Sequence, residues 1–107
     1  MADKIIATIE QGEAESVAYS IEYADYSSVS SPSVTVYRNG SDVTSTVMPS
    51  GSHTVSNNVV TMKNLTALNG GDTYIISITV TVTGSQTIQR WIKVYGIRSE
   101  LGRVRVK

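Results

Sequence analysis

Hydrophobic side chains occupy every second position from Tyr74 to Val82, and hydroxyl-bearing residues fill most of the positions between them. Successive side chains of a β-strand point to opposite faces. The alternation therefore predicts a strand over this segment, with one face buried and one face solvated.

The same alternation continues after a turn at Gly84-Ser85, in a predicted last strand from Gln86 to Tyr95. Its apolar positions extend the buried face, and the other face carries Gln89, Trp91, Lys93 and Tyr95. Arg90 falls in the inward register. We expect Arg90 either at the rim of the protein or beside a β-bulge that shifts the register.

Earlier in the chain, similar patterns predict shorter strands separated by turn signals. The predicted segments are Lys4 to Glu10, Glu15 to Tyr23, Val34 to Arg38 with a returning strand that ends at Pro49, and Val59 to Met62. Asn39-Gly40 is a strong hairpin signal, because both central residues of a type I′ turn need positive φ. This turn would pair Val36 with Val43 on one face.

About seven strands at close intervals predict an all-β fold, an antiparallel sandwich of immunoglobulin-like or fibronectin-III-like type. Tyr74 follows Gly70-Gly71 at the mouth of a long strand, as in the tyrosine corner of such domains, with Leu65 and Leu68 beneath it. We place one domain at residues 1–97 and a short basic C-terminal arm at residues 98–107.

Composition agrees with strands, since the 107 residues include 14 Val, 10 Ile, 12 Thr and 15 Ser. The chain has no Cys, so disulfides and thiolate metal sites are excluded. No stretch approaches the roughly 20 apolar residues that cross a bilayer, and no secretion signal is recognisable, so we expect a cytoplasmic product without membrane contact. Zero net charge argues against nucleic acid as a partner.

Residues suited to catalysis or metal binding are few. The only His, His53, lies in a Gly/Ser-rich segment that predicts a solvated side chain. Asp25, Asp42 and Asp72 fall in predicted turns, where carboxylates bond local backbone, and they lack the spacing of a calcium loop. No nucleophile-elbow, P-loop or zinc-protease motif occurs. The sequence predicts neither an enzyme nor a bound cofactor or metal.

Trp91 and Tyr95 are the strongest candidates for a binding site. Strand alternation puts both on the outer face, four residues apart, and aromatic side chains dominate the energetics of protein interfaces. The alternative is that a register slip turns Trp91 into the core, or that Trp91 shields the sheet beneath a loop.

The ends of the chain carry opposite charge. Residues 1–26 sum to minus five, whereas residues 97–107 sum to plus three. In the arm, valines alternate with basic residues, which predicts a short strand able to add to another sheet or to lie across a neighbouring subunit. Its candidate partner-binding residues are Arg98, Arg103, Arg105 and Lys107.

Three segments also carry a family resemblance. They are Glu15 followed by YSIEYADY, with Tyr19, Asp25 and Tyr26; the Gly70-Gly71 entry to Tyr74; and RWIKV at 90–94. Over roughly residues 13–95 the chain resembles small proteins of tailed bacteriophages and prophages described as fibre-to-tail adaptors or minor head and tail proteins.

The resemblance implies a structural protein of the virion, made in the host cytoplasm, that decorates the capsid or joins tail components. Its partners would be capsid or tail subunits and copies of itself. The alternative is an immunoglobulin-like adhesion or carbohydrate-binding module on a virion or cell surface, because exposed aromatic residues and polar loops suit that role too.

Overall fold

The structure is a computed structural model that describes residues 5–98. It contains eight strands and one short helix. In chain order they are β1 (Ile5–Gly12), β2 (Ser20–Glu22), β3 (Ser30–Arg38), β4 (Ser41–Asp42), α1 (Thr44–Val47), β5 (Thr54–Ser56), β6 (Val59–Thr61), β7 (Thr73–Val82) and β8 (Gln86–Ile97). The described residues form no helix long and apolar enough to span a membrane.

The strands form two sheets, one with the order β1-β8-β7-β3-β4 and one with the order β2-β6-β5. The sheets resemble those of an immunoglobulin-type sandwich: β2, β6 and β5 correspond to its strands B, E and D, and β8, β7 and β3 to its strands G, F and C, with β1 added beside β8. The predicted all-β sandwich is confirmed. The prediction that all strands pair antiparallel is wrong for β1, which runs parallel to β8.

The core lies between the two sheets. Every apolar position predicted on the inner face of β7 is buried, and Ile92 and Val94 of β8 continue that layer. Pairing of β7 with β8 runs without a shift from Thr73↔Tyr95 to Val82↔Gln86. The alternation seen in the sequence therefore marks the inner and outer faces of the sheet correctly.

Two predicted strands are shorter than expected. The first is the strand predicted from Glu15 to Tyr23, of which only β2 joins a sheet, because its neighbour β6 is itself three residues long. Val17, before β2, makes an isolated bridge to Leu65.

The second is the strand predicted to return after the Asn39-Gly40 turn. The φ values of these two residues, 53° and 82°, confirm the turn, but β4 ends at Asp42. Val43 still donates to the Val36 carbonyl oxygen, at 2.8 Å, as the predicted pairing requires. The Asp42 carboxylate then accepts bonds from both the backbone N–H and the hydroxyl of Thr44. These bonds turn the chain into helix α1 in place of the predicted returning strand.

The predicted tyrosine corner is present. Tyr74 is buried, and its hydroxyl oxygen accepts a hydrogen bond of 2.8 Å from the backbone N–H of Asn69. Leu65 and Leu68 are buried with it in the same core cluster. This bond ties the turn before β7 to the first residues of that strand.

We expect Tyr74→Phe to lower the free energy of unfolding by about 1 kcal/mol, because one partly buried hydrogen bond is lost. Urea denaturation of the two proteins measures the difference. Tyr95→Phe, at an exposed position on the neighbouring strand, is the matched control and should leave stability unchanged. Equal stability of Tyr74→Phe and the unaltered protein would show that the corner bond contributes nothing.

Candidate protein-binding surface

The face of the five-stranded sheet that points away from β2, β6 and β5 is called the outer face below. The predicted outward residues of β8 lie on it, because they alternate with the buried Ile92 and Val94. Regular pairing with β7 rules out the register slip that would have turned Trp91 into the core. Trp91 is half-buried on the outer face, as its position in the alternation predicts.

Tyr37 of β3 partly covers Trp91. The two rings stack with their centroids 6.4 Å apart and their planes inclined by 18°. Beneath them Ser77, the cross-strand neighbour of Trp91, is only 5 % exposed. Its hydroxyl accepts a hydrogen bond of 2.8 Å from the Gln89 side-chain amide. The stack on Tyr37 restricts the orientation of Trp91, whose side chain stays partly exposed.

Tyr95 is the most exposed aromatic side chain of the outer face, at 38 %. The Lys93 ammonium group lies 5.5 Å from the centre of its ring, within range of a cation–π interaction. Ile97 on β8 and Ile6 on β1 are exposed to a similar extent. Within the described residues, the exposed large hydrophobic side chains therefore lie on the paired strands β1 and β8.

A row of four aligned residues crosses the outer face. Cross-strand pairing places Lys93 beside Ile75, Ile75 beside Tyr37, and Tyr37 beside Asp42. We call these four residues the central row. Its two ends carry opposite charges, and its middle is apolar and aromatic. Hydrogen bonds from the Thr44 hydroxyl and backbone N–H lower the pKa of Asp42, because they favour the charged carboxylate.

Arg90 lies at the rim of the sandwich, which is one of its two predicted positions. Its guanidinium donates to the Tyr26 hydroxyl at 3.0 Å and lies 5.8 Å from the centre of the Tyr26 ring. Tyr26 meets the buried Tyr23 edge to face. Burial raises the pKa of Tyr23 to about 12, and nearby Arg90 only partly opposes this. The Tyr-rich segment of the family resemblance thus packs against β8.

His53 is not fully solvated as predicted. It is half-buried, and its Nδ1 accepts a hydrogen bond of 3.2 Å from the backbone N–H of Lys63. Partial burial, and then the charge of Lys63, lower the pKa of His53, which favours the neutral ring. Within residues 5–98 no three His, Asp or Glu side chains come together as metal ligands could.

Of the predicted arm residues, the structure describes only Arg98, which is exposed directly after β8. Arg103, Arg105 and Lys107 lie outside the described residues. Arg98 packs closely against the turn before β7. The backbone of Gly70 lies against Arg98, and the Gly70 N–H donates a hydrogen bond of 3.0 Å to the Glu13 carboxylate. The last described residue is thus placed beside an acidic side chain.

Two open depressions with volumes of about 540 and 480 Å³ lie beside helix α1 and strands β5 and β6, and Asp42 of the central row lines the first. They share Pro49 and Lys63. The second is lined mainly by small hydroxyl-bearing residues, with Asn64 and Lys63. It offers hydrogen-bonding groups and one positive charge, and no aromatic ring lines it.

No protein family model matches this chain, and no curated protein matches it in sequence. The candidate surface is therefore described by its own geometry. Tyr37, Ile75 and Asp42 were missed as members of the surface. The alternation of Val34 and Val36 on β3 gave a local signal for Tyr37, but only the order of the strands brings these residues beside β8.

Proposed function

We propose that this chain is a non-enzymatic structural protein of a tailed-phage virion, which decorates the capsid or joins tail components by binding other proteins. The observation that carries the binding part is the outer face. There a fixed Trp91–Tyr37 stack, an exposed Tyr95 and a charged Lys93 lie side by side. Aromatic residues held rigid are the usual anchors of protein interfaces.

The virion part of the proposal is supported by the resemblance of three segments to small phage adaptor and head or tail proteins. The structure gives two of those segments physical roles: Tyr74 closes the corner before β7, and Tyr26 packs under Arg90 of β8. The basic arm, with Arg98, Arg103, Arg105 and Lys107, would add contacts to an acidic neighbour. Many copies in one particle would make modest individual contacts sufficient.

We expect Trp91→Ala to fold but to bind its particle at least about tenfold more weakly, because loss of a central Trp removes an interface anchor. Losing the stack on Tyr37 should lower the free energy of unfolding by no more than about 2 kcal/mol. Copies per particle, measured by quantitative mass spectrometry after the gene is deleted and the variant supplied in trans, give the binding result. Thermal unfolding gives the stability.

Thr81→Ala is the matched control for Trp91→Ala, since Thr81 lies on the outer face near the opposite end of β7. It should leave both readouts unchanged. Unfolding of Trp91→Ala would mean that this side chain is a core residue. Full occupancy of the particle by a folded Trp91→Ala would remove the outer face from the proposal.

The broader experiment asks whether the chain is part of a particle at all. Tailed particles produced by the genome that encodes the chain are purified on a density gradient, and their proteins are quantified. We expect the chain at a fixed ratio to capsid or tail subunits. Its absence from purified, intact particles would contradict the proposed function.

The second candidate is an adhesion or carbohydrate-binding module. It is favoured by the hydroxyl-lined depression beside Lys63, whose hydroxyl and amide groups could bond to sugar hydroxyls. A glycan array separates the two candidates. Retention of a defined glycan by the purified chain, together with no fixed ratio in particles, would favour the module over the virion protein.

A further inference from the structure

The central row of the outer face is self-complementary. It begins with a positive charge at Lys93, continues through Ile75 and Tyr37, and ends with a negative charge at Asp42. A two-fold axis parallel to the strands and midway between β7 and β3 reverses the order of the row. A second copy placed by that axis would set Lys93 against Asp42 twice and Ile75 against Tyr37 twice.

We propose that the occupant of the outer face is a second copy of this chain, bound face to face about that axis. This inference rests on the proposed function, because it names the partner of the same surface. A two-fold contact uses one surface patch on both subunits, so the patch must complement itself. The central row, with opposite charges at its two ends and apolar side chains between them, meets that requirement.

The charges at the ends of the row are available for such a contact. Within residues 5–98 the only ion pair is Arg38 with Asp72, at 3.9 Å. Lys93 lies over the Tyr95 ring, and Asp42 bonds to Thr44 through one carboxylate oxygen. Salt bridges between the copies would therefore form without breaking an ion pair that the described residues make.

The size of the face suits a weak dimer. The row crosses strands β8, β7, β3 and β4, which have 12, 10, 9 and 2 residues. At about 3.3 Å per residue and about 4.8 Å between strands they give roughly 500 Å² from each copy. The total of about 1,000 Å² is the size of a weak, transient contact. Trp91 and its stacked partner Tyr37 lie within this area, which places the strongest anchors of the surface inside the contact.

Charge reversal tests the inference on the full 107-residue chain. Sedimentation velocity from about 1 µM to about 1 mM should show a concentration-dependent dimer. Lys93→Glu and Asp42→Lys should each raise the dimer Kd about tenfold, because each turns two attractive pairs into two repulsive ones. An equimolar mixture of the two variants should recover the affinity of the unaltered chain, since both pairs in the mixed dimer are again opposite in charge.

Zero-length carbodiimide cross-linking tests the dimer with the unaltered chain. Its result therefore does not depend on whether Asp42→Lys disturbs helix α1. Within one chain Lys93 and Asp42 are three strands apart, or about 14 Å, which is too far for an amide bond between them. A cross-linked peptide joining these two residues must therefore come from two copies. We expect this peptide as a major product at concentrations where the dimer forms.

A chain that remains monomeric at about 1 mM overturns the inference, and so do single reversals that leave the dimer unchanged or a mixture that fails to restore it. If the monomeric chain is nevertheless found at a fixed ratio in particles, the proposed function stands and only the choice of partner fails. A dimer with the expected cross-link that never enters particles supports the inference and removes the virion role.

Discussion

Gly96→Ala should lower the free energy of unfolding by about 3 kcal/mol, the largest single effect we expect in this chain. A methyl group at position 96 would overlap the backbone oxygen of Asn69 and lie 3.3 Å from the backbone oxygen of Asp72. Neither oxygen belongs to a flexible side chain that could move aside. The added carbon can be accommodated only by moving the backbone.

The backbone around Gly96 is also fixed by hydrogen bonds. Its carbonyl oxygen accepts from Gly71 and its N–H donates to Asp72, both at 2.8 Å. The same turn supplies the Asn69 N–H that bonds to Tyr74. A shift at position 96 would therefore disturb the entry to β7 and the end of β8 together, and the strain would reach the tyrosine corner.

Gly12→Ala is the matched control, because Gly12 lies on β1 beside β8 just as Gly96 lies on β8 beside β1. A methyl group there would meet the exposed, flexible side chain of Glu15, at 3.3 Å. We expect a change below about 1 kcal/mol. Chemical denaturation compares the two variants. Equal stability of Gly96→Ala and Gly12→Ala would contradict the close packing of β8 against the turn at 69–72.

Gln11→Leu should lower the free energy of unfolding by about 2 kcal/mol. The Gln11 side chain is only 1 % exposed, and all its polar atoms are bonded. Its amide donates to the Leu65 carbonyl at 2.7 Å and to the Glu15 carbonyl at 3.1 Å, and its oxygen accepts from the Tyr19 hydroxyl at 2.8 Å. Leucine keeps the volume and removes all three bonds.

The loss of stability in Gln11→Leu should be moderate, because the Leu65 carbonyl still accepts a hydrogen bond from the Val17 N–H and the Tyr19 side chain is only half-buried. Tyr19→Phe removes one of the three bonds, so we expect about a third of the effect and a non-additive double variant. Gln86→Leu, at the exposed start of β8, is the control and should be neutral. A Gln11→Leu protein as stable as the unaltered chain would show that β1 is not anchored through this side chain.

Local sequence patterns predicted the part of the fold in which neighbours along the chain decide the structure. Alternation from Tyr74 to Tyr95 marked both faces of β7 and β8, and Asn39-Gly40 marked a turn whose two residues need positive φ. The Gly-Gly entry before Tyr74 indicated the corner. In each case the residues that determine the local structure lie close together in the sequence, so that segment of the sequence is enough to predict the structure.

Features set by partners distant in sequence could not be predicted in this way. Parallel pairing of β1 with β8 depends on the first and last strands becoming neighbours in one sheet, and burial of Gln11 depends on the Leu65 carbonyl 54 residues away. The Trp91–Tyr37 stack likewise requires the order of β8, β7 and β3. The outward faces of β7 and β8 were therefore predicted from the sequence, and the placement of Tyr37 of β3 and Asp42 of β4 beside them came only from the structure.

Oxidative footprinting of Trp91 and Tyr95 tests the central claim most directly, because it reads the accessibility of the outer face in the assembled state. The isolated chain at low concentration and intact particles are exposed to hydroxyl radicals, and modification is quantified on the peptides that carry the two residues. We predict labelling of both to fall several-fold in particles, while His53, half-buried just before β5 of the other sheet, stays labelled. Equal labelling of Trp91 and Tyr95 in the free and assembled chain would contradict a binding role for this face.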